Sequence, residues 1–263
     1  MTSEVSMTRE PSASGASGAS GASGASGASG VSTAPAEFTE STASTEPTES
    51  GEWRVLRAHD RPVTPWKNGG GITREVAAGP AGAGLDDFAW RVSLAEVGQG
   101  GPFSSFRGVD RVITLVEGPG MELTVDGAPH PIAAPHQPFA FSGDAATTCR
   151  LLGGPIADLN VMTRRTSATA HVRMAHEDFS LTLRGGELVL VLALLGKVTF
   201  GEPGVVLDRL DAAVFSDRHN GAARTASART EAAHTEGAHT EAVRVDGAAA
   251  VITLTAVPGS PGL

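Results

Sequence analysis

An all-β fold, either a closed barrel or a sandwich, is predicted by three observations on the sequence. Short segments alternate apolar and polar residues, turns rich in Gly and Pro recur at regular spacing, and no strand–helix–strand alternation is present. The pattern occurs in two similar blocks, which predicts two such units side by side, meeting near Thr163 to Ala170. The folded part is expected from about Glu52 to Pro258, with residues 52–165 forming the first unit and residues 166–258 the second.

The elements follow in order. Residues 12–30 repeat Ala-Ser-Gly, and residues 31–51 are rich in Ser, Thr, Glu and Pro, with Phe38 the only aromatic of residues 1–51. Such a segment buries too little apolar surface to offset the entropy of ordering, and reads as a flexible tail. Phe88, Trp90, Val92 and Leu94 alternate with Ala89, Arg91, Ser93 and Ala95, the signature of a half-buried strand. Arg111 to Glu117 is β-branched and apolar, Gly118-Pro119-Gly120 turns, and Met121 to Val125 alternates up to the Asp126-Gly127 turn. Phe139 to Phe141, Thr147 to Leu152 and Asp158 to Thr163 complete the first block. In the second, Phe179 to Leu183 is a strand. Leu188 to Leu195, Gly196 and Lys197 to Phe200 read as a buried strand, a bend and an edge strand. Val205 to Leu210 and Ala212 to Ser216 follow. Residues 219–241 carry near-copies of His-Thr-Glu-Ala and read as a low-complexity insertion before two last strands, Ala242 to Val245 and Ala249 to Val257. Lengthening such a loop costs little entropy.

Charge and composition narrow the function. The net charge is -9 with a pI near 5.3, and the nearest basic cluster is only Arg164-Arg165, which argues against a nucleic-acid partner. The longest apolar run, Leu188 to Leu195, is too short to span a bilayer, and no apolar stretch follows the N-terminal charges. The single cysteine, Cys149, lies in a strand and reads as a buried core thiol. These features predict a cytoplasmic protein with no membrane partner.

Two segments carry the candidate chemistry. In Pro65-Trp66-Lys67-Asn68-Gly69-Gly70-Gly71-Ile72-Thr73-Arg74-Glu75, three successive glycines need a bend or a close approach, and their amides suit an anion nest. The segment lacks the spacing of a P-loop. In Gly98 to Arg111, the spacing resembles that of metal-binding cupin barrels, where a glycine, five residues, His-x-His and a Glu supply the ligands. Here those positions fall on Ser104, Phe106 and Asp110, and the later cupin histidine is also missing. A hydroxyl and an aromatic ring do not replace two imidazoles, so a cupin-like barrel without a metal or other cofactor is expected. Seven of the eight histidines read as exposed loop residues: His130 and His136 in a Pro-rich loop, His171 and His176 at the junction, and His219, His234 and His239 at the insertion.

Taken together, Pro-Trp-Lys-Asn-Gly-Gly-Gly-x-Thr-x-Glu, Trp90-Arg91-Val92-Ser93, Gly-Pro-Phe-Ser-x-Phe-x-Gly-Val-Asp-Arg, and Leu151 to Pro155 through Asp158-x-Asn160-Val161-Met162-Thr163-Arg164 resemble the HutD/Ves family. The resemblance runs from about Trp53 to Arg165, with a weaker echo to the end. It implies a bicupin, two RmlC-like jelly-roll barrels in one chain, without the usual metal. It also implies an association with bacterial histidine utilisation, or in a related branch with stress response, and a sensing or regulatory binder of a small acidic metabolite such as formylglutamate, urocanate or formate. The long tail, the insertion and Arg107, where the family commonly has proline, are departures.

Three functions follow from these readings. The first is a binder of a small carboxylate. Lys67, Asn68, Gly70, Thr73, Arg91, Ser93, Ser104 and Arg111 supply donors, Trp66, Phe103 and Phe106 wall the site, and Glu75 or Asp110 orients the cations. Strand parity puts Arg91 and Ser93 on one face, and a polar face turned inward demands a polar ligand. The second is a metal-independent isomerase or hydrolase using Glu75 or Asp110 for proton transfer, with the competing reading that these carboxylates pair structurally with Arg91 or Arg111. The third is an interaction protein that pairs barrel to barrel as a homodimer.

Overall fold

A computed structural model describes residues 52–184, 186–201, 204–216, 239–260 and residue 263. The tail and residues 219–238 of the insertion lie outside the described residues. Among these residues the chain forms seventeen strands and one short 3-10 turn at Ala58–Asp60. The strands are β1 (Glu52–Leu56), β2 (Val63–Pro65), β3 (Gly71–Gly79), β4 (Trp90–Val97), β5 (Gly101–Pro102), β6 (Val109–Glu117), β7 (Met121–Val125), β8 (Ala128–Ile132) and β9 (Pro138–Ser142). They continue with β10 (Thr147–Leu151), β11 (Ile156–Arg164), β12 (Ala168–Ala175), β13 (Phe179–Leu183), β14 (Glu187–Phe200), β15 (Val205–Leu207), β16 (Ala212–Ser216) and β17 (His239–Ala256). No helix among the described residues is long and apolar enough to cross a membrane.

The strands make three antiparallel sheets, none of them closed. One has six strands in the order β2-β3-β4-β11-β6-β9, one has four in the order β5-β10-β7-β8, and one has seven along β1-β16-β14-β17-β12, with β13 also on β17 and β15 on β14. Side-chain alternation stacks them. Trp90, Val92, Leu94, Leu159 and Val161 from the six-stranded sheet meet Leu188, Leu190, Leu192, Ile252 and Leu254 from the seven-stranded sheet in a central apolar layer. The opposite face of the six-stranded sheet packs Ala95, Val97, Ile113 and Leu115 on Met121, Leu123 and Cys149 of the four-stranded sheet. The far face of the seven-stranded sheet buries Val189, Val191, Phe200, Phe215 and Val251 with Leu181 and Leu183. The unbroken apolar run of β14 is thus explained by burial on both faces.

Three sequence expectations change. Leu188 to Phe200 is one strand, not a strand, a bend and a second strand; so is His239 to Ala256, which takes in the end of the expected insertion and both last strands. The ladder passes through Gly196 and Gly247, which are register partners, both at positive φ of 68° and 117°. A Cβ on Gly196 would lie 1.8 Å from the Asp246 carbonyl oxygen, so only glycine lets the two backbones approach. Second, β1 does not join the sheets of residues 58–165. It pairs with β16 over its whole length, from Glu52 with Ser216 to Leu56 with Ala212. The strap is pinned by Asp211, whose carboxylate accepts hydrogen bonds from the Ala58 amide at 2.7 Å and from Arg57 at 2.7 Å. These donors hold Asp211 below its ordinary carboxylate range despite burial, which acts the other way. Third, His130, His171 and His239 lie in β8, β12 and β17, not in loops.

Candidate functional site

β4, β11 and β6 are neighbours, and their register lines polar residues up on one face. Arg91, Met162 and Arg111 form one row, Ser93, Asn160 and Ile113 the next, and Ala95, Asp158 and Leu115 the third. Glu75 on β3 stands opposite Ser93, and Thr73 opposite Ala95. The intervening residues Val92, Leu94, Leu159 and Val161 fill the central layer. The parity of the strands therefore turns Arg91, Ser93, Arg111, Asp158 and Asn160 toward the four-stranded sheet.

Arg111 is the centre of this face. It is 6% exposed, and its guanidinium carbon lies 4.9 Å from the Phe103 ring centre, 5.0 Å from Phe141 and 5.7 Å from Phe106. Its Nε–H donates a long hydrogen bond of 3.4 Å to Asn160 Oδ1, and the two terminal NH2 groups have no acceptor among the described residues. Burial pulls the guanidinium down to about 10; Asp158 opposes that shift and Arg91 adds to it. Asp158 is 3% exposed, and no described residue donates a hydrogen bond to its carboxylate. Burial pushes it up to about 7, with Arg111 acting in the other direction. Desolvation thus outweighs mutual attraction at both groups, consistent with the absence of an ion pair between them. An acid with a raised folded pKa gives stability that is present below its unfolded value and lost as pH rises toward the folded value. Here that window runs from 3.8 to about 7.

The other expected residues divide into two groups. Arg91 donates Nε–H to Glu75 at 2.8 Å and Nη1–H to Ser93 Oγ at 3.2 Å, beside Arg111. Glu75 is therefore a paired carboxylate, in agreement with the structural alternative. Asp110 lies on the opposite face of β6 from Arg111 and pairs with Arg165 at 2.6 Å. That arginine also binds Asp144 at 2.6 Å and, with the Gly108 amide, pulls Asp144 down to about 2. Asp110 thus pairs with neither of the arginines expected and does not reach the Arg111 face. Ser104 is exposed.

The glycine segment also stands apart. The Gly70 amide donates to Asn68 Oδ1 at 3.0 Å, the Gly69 amide to the Trp66 carbonyl at 3.0 Å, and Thr73 Oγ1 accepts from the Trp66 indole at 2.8 Å. Those amides are spent on the turn, which corrects the expectation of an anion nest. Gly71 is required by close approach, since a Cβ there would lie 2.5 Å from the Glu96 carbonyl. With Val97, Gly98, Gly118 and Ile156 the segment lines an open cleft of about 600 Å3 at the other end of β3 and β4 from Arg91. Lys67 is exposed beside it.

Sequence reasoning missed Asp158, Asn160 and Phe141 as site residues. The alternation of Asp158 and Asn160 with Leu159 and Val161 carries the same parity signal that singled out Arg91 and Ser93. Cys149 sits 7% exposed with its sulfur 3.9 Å from Met121 Sδ, and burial raises it to about 11, as expected of a core thiol. Among the described residues, no group of three or more His, Cys, Asp or Glu side chains could hold a metal ion.

Comparison with known proteins places this architecture. The chain is 49% identical over 109 residues to a 21.2 kDa protein in the hutC 3′ region of Pseudomonas putida, and spans 57% of that protein's length. It is 42% identical over 134 residues to protein Ves of Citrobacter koseri, covering 69% of that protein and 50% of this chain. HutD from Pseudomonas fluorescens SBW25, solved in a formate condition, superposes with a TM-score of 0.65 at 34% identity, covering 78% of this chain and 100% of the other. The nickel(II) complex of the bacterial pirin YhhW from Escherichia coli shares the fold alone, with a TM-score of 0.51 at 11% identity over 79% of this chain and 99% of the other. The HutD family model matches residues 58–235, and with the relatives this shows that the chain belongs to the HutD family.

Proposed function

We propose that this protein is a metal-free bicupin that binds a small acidic metabolite in its first cupin-like unit, in a sensing or regulatory role linked to histidine utilisation or stress. The observation that carries this reading is Arg111. A buried guanidinium with two unpaired NH2 groups and three aromatic walls lacks an acceptor, and a ligand carboxylate supplies one in bidentate geometry. Arg91 adds positive charge in the same row, and Ser93 and Asn160 add neutral polar groups. The hutC-region relative supports the metabolic setting, and formylglutamate, urocanate and formate are the candidate ligands.

Isothermal titration calorimetry with N-formylglutamate, urocanate and formate tests the reading. Binding of at least one is expected, weakened about tenfold in Arg91→Ala and about a hundredfold or more in Arg111→Ala, the scale of charge-assisted hydrogen bonds. Circular dichroism should show both variants folded. Undiminished binding in both would remove the site. The alternative reading, a metal-independent isomerase or hydrolase, is favoured by one observation. Asp158 is an unpaired buried acid whose pKa suits proton transfer near neutral pH. Turnover of a bound candidate, lost in Asp158→Asn, would select it.

A further inference from the structure

Asp158 has no role in the binder as stated so far, yet it lies on the same buried face of the six-stranded sheet. It shares the face of Arg111 and Asn160, one row beyond Asn160, and no described residue donates to its carboxylate. The charged and titratable groups on that face and on the elements packed against it are Arg111 on β6, Arg91 on β4, Glu75 on β3, Cys149 on β10 and His130 on β8, which shares the inward face of Leu123 and stacks on Phe139 at 4.9 Å. Glu75 is occupied by Arg91, and the thiol stays neutral. Arg111 is therefore the cation that Asp158 balances, across a gap too wide for a hydrogen bond.

Resting on the carboxylate-binding reading, we propose that Asp158 is a ligand-reading residue of this pocket: a carboxylate seated on Arg111 takes over as counter-ion, and Asp158 takes one proton from solvent and faces the ligand as a neutral O–H donor. Two carboxylates sharing one buried arginine repel each other, and the cheapest relief is protonation of the one that lacks hydrogen bonds. The carboxyl is already held close to that state by burial, so uptake at neutral pH is readily reached. The neutral O–H then satisfies a ligand oxygen that would otherwise be buried without a partner. The pocket consequently favours an anion with a second acceptor oxygen and disfavours a ligand whose cationic nitrogen would need Asp158 ionised.

Proton linkage reads this directly. N-formylglutamate, fully ionised in this range, is titrated into the full-length protein at pH 6 and pH 8 in PIPES and Tris, buffers of different ionisation enthalpy. The expected result is close to one proton taken up per ligand at pH 8, much less at pH 6, and affinity falling up to about tenfold per pH unit above 7. Asp158→Asn, a neutral isostere, should bind with no proton uptake and with affinity flat between pH 6 and 8. Wild-type binding without proton uptake at pH 8, or the same uptake in Asp158→Asn, would overturn the assignment while leaving the carboxylate site standing. Absence of N-formylglutamate, urocanate and formate binding to the wild type at either pH would instead remove the site reading, and this inference with it.

Discussion

Arg111→Met should lose ligand binding and gain thermal stability in the same variant. The guanidinium gives up most of its hydration for one 3.4 Å hydrogen bond and three ring contacts. Each ring contact is worth about 0.5–1 kcal/mol, whereas desolvating an ion costs several kcal/mol. Methionine has similar length, and its sulfur suits the frame of Phe103, Phe106 and Phe141. Replacing a poorly compensated buried charge by an apolar side chain of similar volume stabilises proteins by about 1–4 kcal/mol in favourable cases. The low end, about 1 kcal/mol, corresponds to a melting temperature higher by roughly 2–4 °C for a domain of this size. Asp158 then loses its counter-ion, but with its folded pKa already raised to about 7 it simply keeps its proton at pH 6, where the scan should be run. A lower melting temperature would mean that Arg111 is a structural cross-link, and the case for a ligand there would collapse. A gain in stability on deleting the residue is what a site held ready for a partner produces.

Much of this face was legible because strands encode orientation in parity. The alternation of Trp90 and Val92 with Arg91 and Ser93 states that two polar side chains share a face, and Arg111 follows once β6 is aligned. What parity alone does not give is which strand lies beside which. The pairing of β1 with β16 joins residues more than 150 apart, and nothing local in Glu-Trp-Arg-Val-Leu names that partner. The same limit hid Asp158, whose meaning depends on β11 lying between β4 and β6. The glycines misled in a different way. Gly196 read singly as a bend, and Gly247 fell in the gap between the last two expected strands, but facing each other they are what keeps one long ladder intact. The triple glycine also announced a special backbone, correctly, yet a tight turn and close packing on Glu96 account for it where an anion nest was expected.

The non-local strap has a consequence for stability that Leu190→Ala exposes. Leu190 is fully buried in the central layer, on the face of β14 that meets Trp90, Val92 and Leu159. Truncation there removes three carbon atoms from a site walled by two sheets, neither of which can collapse onto the gap without disturbing its own ladder. The cost is expected at about 2–5 kcal/mol, the range of Leu-to-Ala changes in rigid cores. For a unit of this size that lowers the melting temperature by roughly 5–15 °C. The form of the transition is as informative as its shift. The central layer is built from both halves, and β1, the first strand of the described residues, is zipped into the sheet of the second. Neither half then keeps its core when the other opens. Scanning calorimetry should therefore show one transition in wild type and variant, with calorimetric and van't Hoff enthalpies equal, moved as a whole. Two resolved transitions, of which Leu190→Ala shifts only the one belonging to the seven-stranded sheet, would show that the halves fold separately and that the shared layer contributes little to holding them together.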